Sequence, residues 1–187
     1  MNEIAQSGII GGIAEISATV TTLLPDSTST EFYNERIFEN ATYPLLAIFK
    51  LFGTNYQKVQ IFNKRDGDRI HFSQVCLEYR DKIGSFKIGV GVKSEGSLVI
   101  SGTKGYIYVP APWWKTDYFE VRFENQNDNK KYFFPYESSG LRYEIQAFVD
   151  SISRTSVLKD YVTKEENLKI IDIQNKILSN GKQKFSI

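Results

Sequence analysis

The apolar positions change their period along the chain. Ile16, Ala18, Val20 and Thr22 share one alternating face within an Ile-, Thr- and Val-rich segment from Ile13 to Leu24. That alternation predicts a strand, after a short start ending in Gly8-Ile9-Ile10-Gly11-Gly12. Pro25-Asp26-Ser27-Thr28-Ser29-Thr30 reads as a polar turn or loop. Beyond it Ile37, Ala41, Leu45, Ile48 and Phe52 recur at helical spacing, with Gly53 as a C-terminal stop. Pro44 falls inside this first long helix and lacks an N–H, which predicts a bend or loosened turn near Asn40.

From Tyr56 to Tyr136 the helical period disappears. Turn signals at Arg65-Asp66-Gly67-Asp68, Asp81-Lys82-Ile83-Gly84, Ser94-Glu95-Gly96 and Asn125 to Asn129 separate β-rich segments. They predict an antiparallel meander of about five or six strands. Phe119, Val121 and Phe123 alternate with Tyr118, Glu120 and Arg122, so one face of that strand is apolar and a helix layer should cover it. Two helices close the chain. Leu141, Ile145, Phe148, Val149 and Ile152 share a face after Ser138-Ser139-Gly140, and Thr163-Lys164-Glu165-Glu166 is a capping box ahead of Leu168, Ile171 and Leu178, with Asn180-Gly181 as the stop. No repeat or linker divides residues 1–187, so the reading is one α+β domain. It has an open, mainly antiparallel sheet with helices packed on one face.

Composition narrows the function classes. A chain of 187 residues with 41% hydrophobic and 14% aromatic content can build one sizeable core. Lys+Arg 23 against Asp+Glu 22 gives a formal charge of +1, which argues against a nucleic-acid partner. The single Cys76 cannot form an internal disulfide, no apolar run is long enough to span a bilayer, and the N-terminus lacks signal-peptide character. The expectation is a cytoplasmic protein without a membrane partner.

Several residues could carry chemistry. A dinucleotide cradle needs G-x-G-x-x-G between a strand and a helix; Gly89-Val90-Gly91 has Ser94 at the third position, and Gly8 to Gly12 has the wrong spacing. The chain alone is expected to bind no NAD. His71, the only histidine, sits in an apparent strand without a second ligand at metal-binding spacing, so no metal is expected. Cys76 alternates with Val75 and Leu77 and reads as a small buried hydrophobe. Asn40-Ala41-Thr42 is a glycosylation sequon only in form, since it lies inside a helix.

The stretch Ser101-Gly102-Thr103-Lys104-Gly105-Tyr106-Ile107-Tyr108-Val109-Pro110, the helix motif Glu39 to Tyr43 and the later start Gly140-Leu141-Arg142-Tyr143-Glu144 together resemble the C-terminal domain of the Gfo/Idh/MocA oxidoreductases. The resemblance covers nearly all of the chain. It implies the open-sheet fold of the dihydrodipicolinate reductase/glucose-fructose oxidoreductase C-terminal kind, the half that carries substrate and builds the dimer. An N-terminal Rossmann domain would hold NAD or NADP in the full-length enzyme, and Met1 falls where that domain would end. The resemblance implies a chain inactive alone, acting as part of an oxidoreductase on a sugar, inositol or diol hydroxyl. The other reading is a stand-alone, non-catalytic binding or oligomerisation module derived from that family.

By the same resemblance, Glu39 takes the family's Asp position, Tyr43 its His/Tyr position and Pro44 its proline. Asn34, Glu35 and Arg36 replace the glycine triplet, which makes Asn34 and Arg36 substrate-binding candidates. Tyr43 would exchange a proton with the substrate oxygen and Glu39 would orient it; the family's catalytic Lys has no counterpart here. Spacing of i, i+4 puts Glu39 and Tyr43 on one helix face. The alternative is Glu39 answering a helix N-terminus and Tyr43 in the core. Trp113 and Trp114 either face a sugar or diol substrate or only cover the sheet edge. Tyr106, Tyr108, Tyr118, Arg122 and Tyr132 are expected on the open sheet face, which in the family is buried in a homodimer.

Overall fold

A computed structural model of the protein describes residues 1–25, 27–134, 145–146, 148–150 and 162–180. A short helix α1 (Asn2–Gln6) leads into strand β1 (Ile13–Thr22) and the long helix α2 (Thr30–Phe52). Then come β2 (Lys58–Asp66), β3 (Arg69–Glu78), β4 (Ile83–Val90), β5 (Leu98–Gly102), β6 (Tyr106–Val109), β7 (Tyr118–Arg122) and β8 (Lys130–Phe133). Helix α3 (Lys164–Ser179) follows; residues 145–146 and 148–150 are also helical. Leu141, Ile152 and the expected start at Gly140 to Glu144 lie outside the described residues, while Ile145, Phe148 and Val149 are exposed.

The strands form one eight-stranded sheet in the order β2-β3-β4-β1-β5-β6-β7-β8. Only the β1–β4 pair is parallel. The 58–133 region holds seven strands rather than five or six, because Gly102 to Gly105 and the loop after Val109 are further connections without an Asn- or Asp-Gly signal. Nor is it a simple meander: β1 inserts between β4 and β5.

Alternation sorts each strand between the two faces. Ile16, Ala18 and Val20 of β1, Phe86 and Ile88 of β4, Leu98 and Ile100 of β5 and Phe119 and Val121 of β7 are buried. Helix α2 packs on β1, β3 and β4 through Tyr33, Ile37, Ala41, Leu45 and Ile48, and α3 packs on α2 and β2. Gly84 in β4 makes room for α2: a Cβ there would lie 2.7 Å from Cγ2 of Ile48. Ser29 caps α2 by accepting the Phe32 N–H at 3.2 Å, and Gly53 ends it at φ 77°. The helix runs unbroken through the buried Pro44, so its missing N–H does not divide the element.

Two expectations about faces are corrected. In α3 the buried stripe is Ile170, Ile173, Gln174 and Ile177, not the Leu168 and Ile171 row, which stands 58% and 47% exposed. Both rows have helical spacing, and three isoleucines bury more surface than the competing stripe. Gln174 is tolerated because its amide donates to the Phe38 carbonyl (2.8 Å) and the Thr42 hydroxyl (2.9 Å). Cys76 is not a core residue: Val75 and Leu77 point into the core, so alternation puts Cys76 half-buried on the opposite face. Burial first, with Glu15 and Glu78 adding to it, pushes its thiol pKa upward, away from thiolate chemistry.

Candidate functional site

Helix α2 and the loop after β6 frame a groove of about 420 Å³. Along α2 the residues Tyr43, Leu46, Ala47 and Lys50 follow one another at helical spacing beside the buried stripe, so they form a wall rather than core. Tyr43 stands 48% exposed. The opposite wall is the tryptophan loop. The Trp113 backbone N–H donates to the Gly96 carbonyl (3.0 Å) and its indole N–H to the Thr19 carbonyl of β1 (3.2 Å). With Trp113 pinned, Trp114 meets it edge-on at 5.9 Å and stacks on Tyr43 at 6.1 Å with a 27° tilt, both distances in the favoured range for aromatic pairs.

The two tryptophans and Tyr43 line one groove. Glu39 does not join them. It is 60% exposed in its side chain, paired with Arg36 at 2.7 Å, and it borders a separate groove with Glu31, Asn34, Glu35 and Phe38. An i, i+4 step turns the helix by about 40°, and here that separates a residue flanking the core from one facing water. The expected shared wall of Glu39 and Tyr43 is thus replaced by Tyr43 with the tryptophan loop. Asn34 is occupied elsewhere: its amide donates to the Asp68 carbonyl (2.9 Å) and its Oδ1 accepts the Ile70 N–H (3.1 Å), fastening α2 to the β2–β3 turn. Arg36 faces Glu39 and lies over the Phe32 ring at 5.5 Å.

Several groove residues were not singled out by the sequence. Asp117, Phe119 and Phe134 complete the far end; Phe119 stacks on Phe134 at 5.5 Å, and the Phe134 N–H donates to the Asp117 carbonyl at 2.6 Å. The Tyr118-to-Arg122 alternation marked Phe119 as apolar, but nothing local indicated that the core row of β7 runs on into a groove. Lys50 lines the same groove and is tied to Glu166 of α3 at 3.0 Å. Burial alone would raise the Glu166 carboxyl; the Thr163 N–H and the Lys50 ammonium outweigh it and hold the group below its ordinary value of 4.5.

On the other sheet face Tyr106, Tyr108, Tyr118 and Arg122 lie together as the alternation implied. Arg122 sits 4.3 Å over the Tyr108 ring and 2.7 Å from Glu120, and Lys131 lies 3.6 Å over Tyr118. Tyr132 is on the opposite face, stacked on Phe119 at 5.1 Å, because it alternates with Lys131 and Phe133. His71 packs edge-on to Tyr33 at 5.8 Å. Gly89 lies at the end of strand β4 and Gly91 just beyond it, neither opening a helix; a Cβ on Gly89 would meet Phe72 at 3.0 Å and one on Gly91 the Tyr33 hydroxyl at 2.8 Å, so these glycines make room for neighbouring side chains and do not fit a pyrophosphate cradle. Among the described residues no helix is long and apolar enough to cross a membrane.

No protein-family model and no curated protein matches the sequence. Solved structures do match. The fold is similar to that of a 3-ketoreductase from Actinomadura kijaniata in complex with NADP and TDP-benzene, with a TM-score of 0.75 and 11% identity over 94% of this chain and 56% of that one. It is similar also to a proposed NADPH-dependent oxidoreductase from Desulfitobacterium hafniense (TM-score 0.73, 17% identity, 95% and 57% covered). A proposed oxidoreductase from Klebsiella pneumoniae is a third (TM-score 0.70, 16% identity, 95% and 54% covered). The chain spans little more than half the length of these structures. At such identities the likeness shows the fold: an α+β domain with an open, mainly antiparallel sheet and helices on one face, found within larger oxidoreductase structures.

Proposed function

We propose that this chain is the substrate-carrying domain of an NAD(P)-dependent oxidoreductase of the Gfo/Idh/MocA kind, acting on the hydroxyl or carbonyl of a sugar, inositol or diol and inactive alone. The observation that carries the reading is the meeting of Tyr43 and Trp114 across one groove, on a fold that a 3-ketoreductase shares. Tyr43 supplies or takes the proton at the substrate oxygen, a step worth about two to four orders of magnitude when the geometry is right. The indole faces hold the substrate's apolar side. The dinucleotide contributes hydride transfer when bound, and its binding site is assigned to a nucleotide-binding domain, since Gly89 and Gly91 do not fit one. Glu39 is assigned at most an indirect role, through Arg36.

The open sheet face supports a homodimer. Its Tyr and Arg side chains match the composition of interface cores, and the exposed Phe62, Ile83, Tyr106 and Phe133 lie on it as well. A second reading, a non-catalytic binding or oligomerisation module, is favoured by Asn34 and Glu39, which are engaged away from the groove.

Saturation-transfer NMR on the chain with a panel of free and aryl-substituted sugars, inositols and vicinal diols tests the substrate role. At least one member should receive magnetisation, and Trp114→Ala should abolish the signal. Silence from the whole panel at millimolar concentration would contradict the reading.

A further inference from the structure

The groove lining bears on which part of a substrate it can hold. Tyr43, Val109, Trp113, Trp114, Phe119 and Phe134 present mostly ring and methyl surface. Several of the polar groups along it are already engaged. The Trp113 indole N–H is bound to the Thr19 carbonyl, the Lys50 ammonium to Glu166, and the Thr116 hydroxyl to the Tyr118 carbonyl. Among the described residues, the Asn2 side-chain amide, the Tyr43 hydroxyl, the Trp114 indole N–H and the Asp117 carboxylate have no such partner.

A bare sugar or inositol carries a hydroxyl on nearly every carbon. Each hydroxyl withdrawn from water without a partner is a penalty, and four free side-chain groups are too few for a ring hydroxylated all round. A flat apolar ring has no such penalty. It gains the burial of its faces, and the perpendicular Trp113–Trp114 pair offers one ring face and one edge, the two arrangements aromatic pairs prefer.

Resting on the reading of this groove as the substrate site, we propose that it receives a flat apolar ring of the substrate, aryl or comparably unsaturated. The reacting hydroxyl or carbonyl then lies beside Tyr43, and Asp117 accepts a hydrogen bond from a ligand hydroxyl or N–H. The substrate class is an aryl-bearing alcohol, ketone or glycoside rather than a free polyol.

The chain contains two tryptophans, both in this groove, so the two indole N–H signals of a proton–nitrogen correlation spectrum report on it alone. The 187-residue chain is titrated in parallel with phenyl β-D-glucopyranoside and methyl β-D-glucopyranoside. The phenyl compound should bind about tenfold more tightly or better, from the added ring burial. It should move the unpartnered Trp114 signal more than that of Trp113. Trp114→Ala should weaken phenyl binding by about tenfold, and Asp117→Asn, which leaves the packing intact, by about threefold to tenfold. Equal affinity for the two glycosides overturns the inference and leaves the groove standing as a polyol site. Phenyl binding that moves neither indole signal, or that survives both substitutions unchanged, also overturns it. No response to either compound overturns the inference and the substrate-site reading together.

Discussion

Replacing Glu166 by Gln tests how α3 is fastened. The Glu166 carboxylate is buried, accepts the Thr163 N–H at 2.7 Å as the return half of the capping box, and accepts the Lys50 ammonium of α2 at 3.0 Å. Gln keeps an acceptor oxygen but loses the charge from two charge-assisted hydrogen bonds. Each such bond is about twice as strong as a neutral one, so the change should cost about 2 kcal/mol. For a domain of this size that is a fall in melting temperature of about 4 to 8 °C. The pH dependence adds a sign. Because the folded-state carboxyl is held below its ordinary value of 4.5, its contribution is present above that pH and is lost as pH falls through the lower folded value. Thermal melts followed by circular dichroism should show the full gap between wild type and E166Q at about pH 7 and a closing gap as pH falls below 4.5. Equal melting temperatures at neutral pH, or a gap of unchanged size at acid pH, would refute this account of the α2–α3 contact.

Gly84→Val should lower the melting temperature through overpacking worth about 1 to 3 kcal/mol, because the new side chain would enter the space of Ile48; an unchanged melt would mean that α2 sits farther from β4 than described. Titration of NADH or NADPH into the chain, followed by dinucleotide fluorescence, should show no saturable binding, and micromolar affinity would contradict the assignment of the nucleotide to another domain. Sedimentation velocity at high micromolar concentration should show a dimer, dispersed by a charge at Tyr108; a strict monomer would count against the open face as a self-association surface.

Much of the layout was legible because it rests on local periodicity. The β1 alternation, the Ile37-to-Ile48 helical row, the Gly53 stop and the Thr163 capping box each depend on a handful of neighbouring residues. Long-range choices were not legible in the same way. Nothing near Ile13 indicates that β1 inserts between β4 and β5, and no local signal ranks the Ile170 stripe of α3 above the Leu168 stripe, since the decision belongs to the α2 surface that receives it. Cys76 lies half-buried on the face opposite Val75 and Leu77, where their alternation puts it, rather than in the core that its small apolar character suggested. The groove shows the same division. The sequence indicated Tyr43, Trp113 and Trp114, yet the i, i+4 rule alone could not show that Glu39 turns to water and to Arg36, because that depends on where the buried face of α2 is centred.

The central claim is that Tyr43 works on substrate in this groove, and turnover measures it most directly. NAD(P)-dependent oxidation of an alcohol that binds the groove should be compared between wild type and Tyr43→Phe, each with its nucleotide-binding domain present. The Phe ring preserves the stack on Trp114 and removes only the hydroxyl. The account predicts a fall in kcat of about a hundredfold or more with KM little changed. An unchanged kcat would leave Tyr43 as a packing residue and contradict the claim.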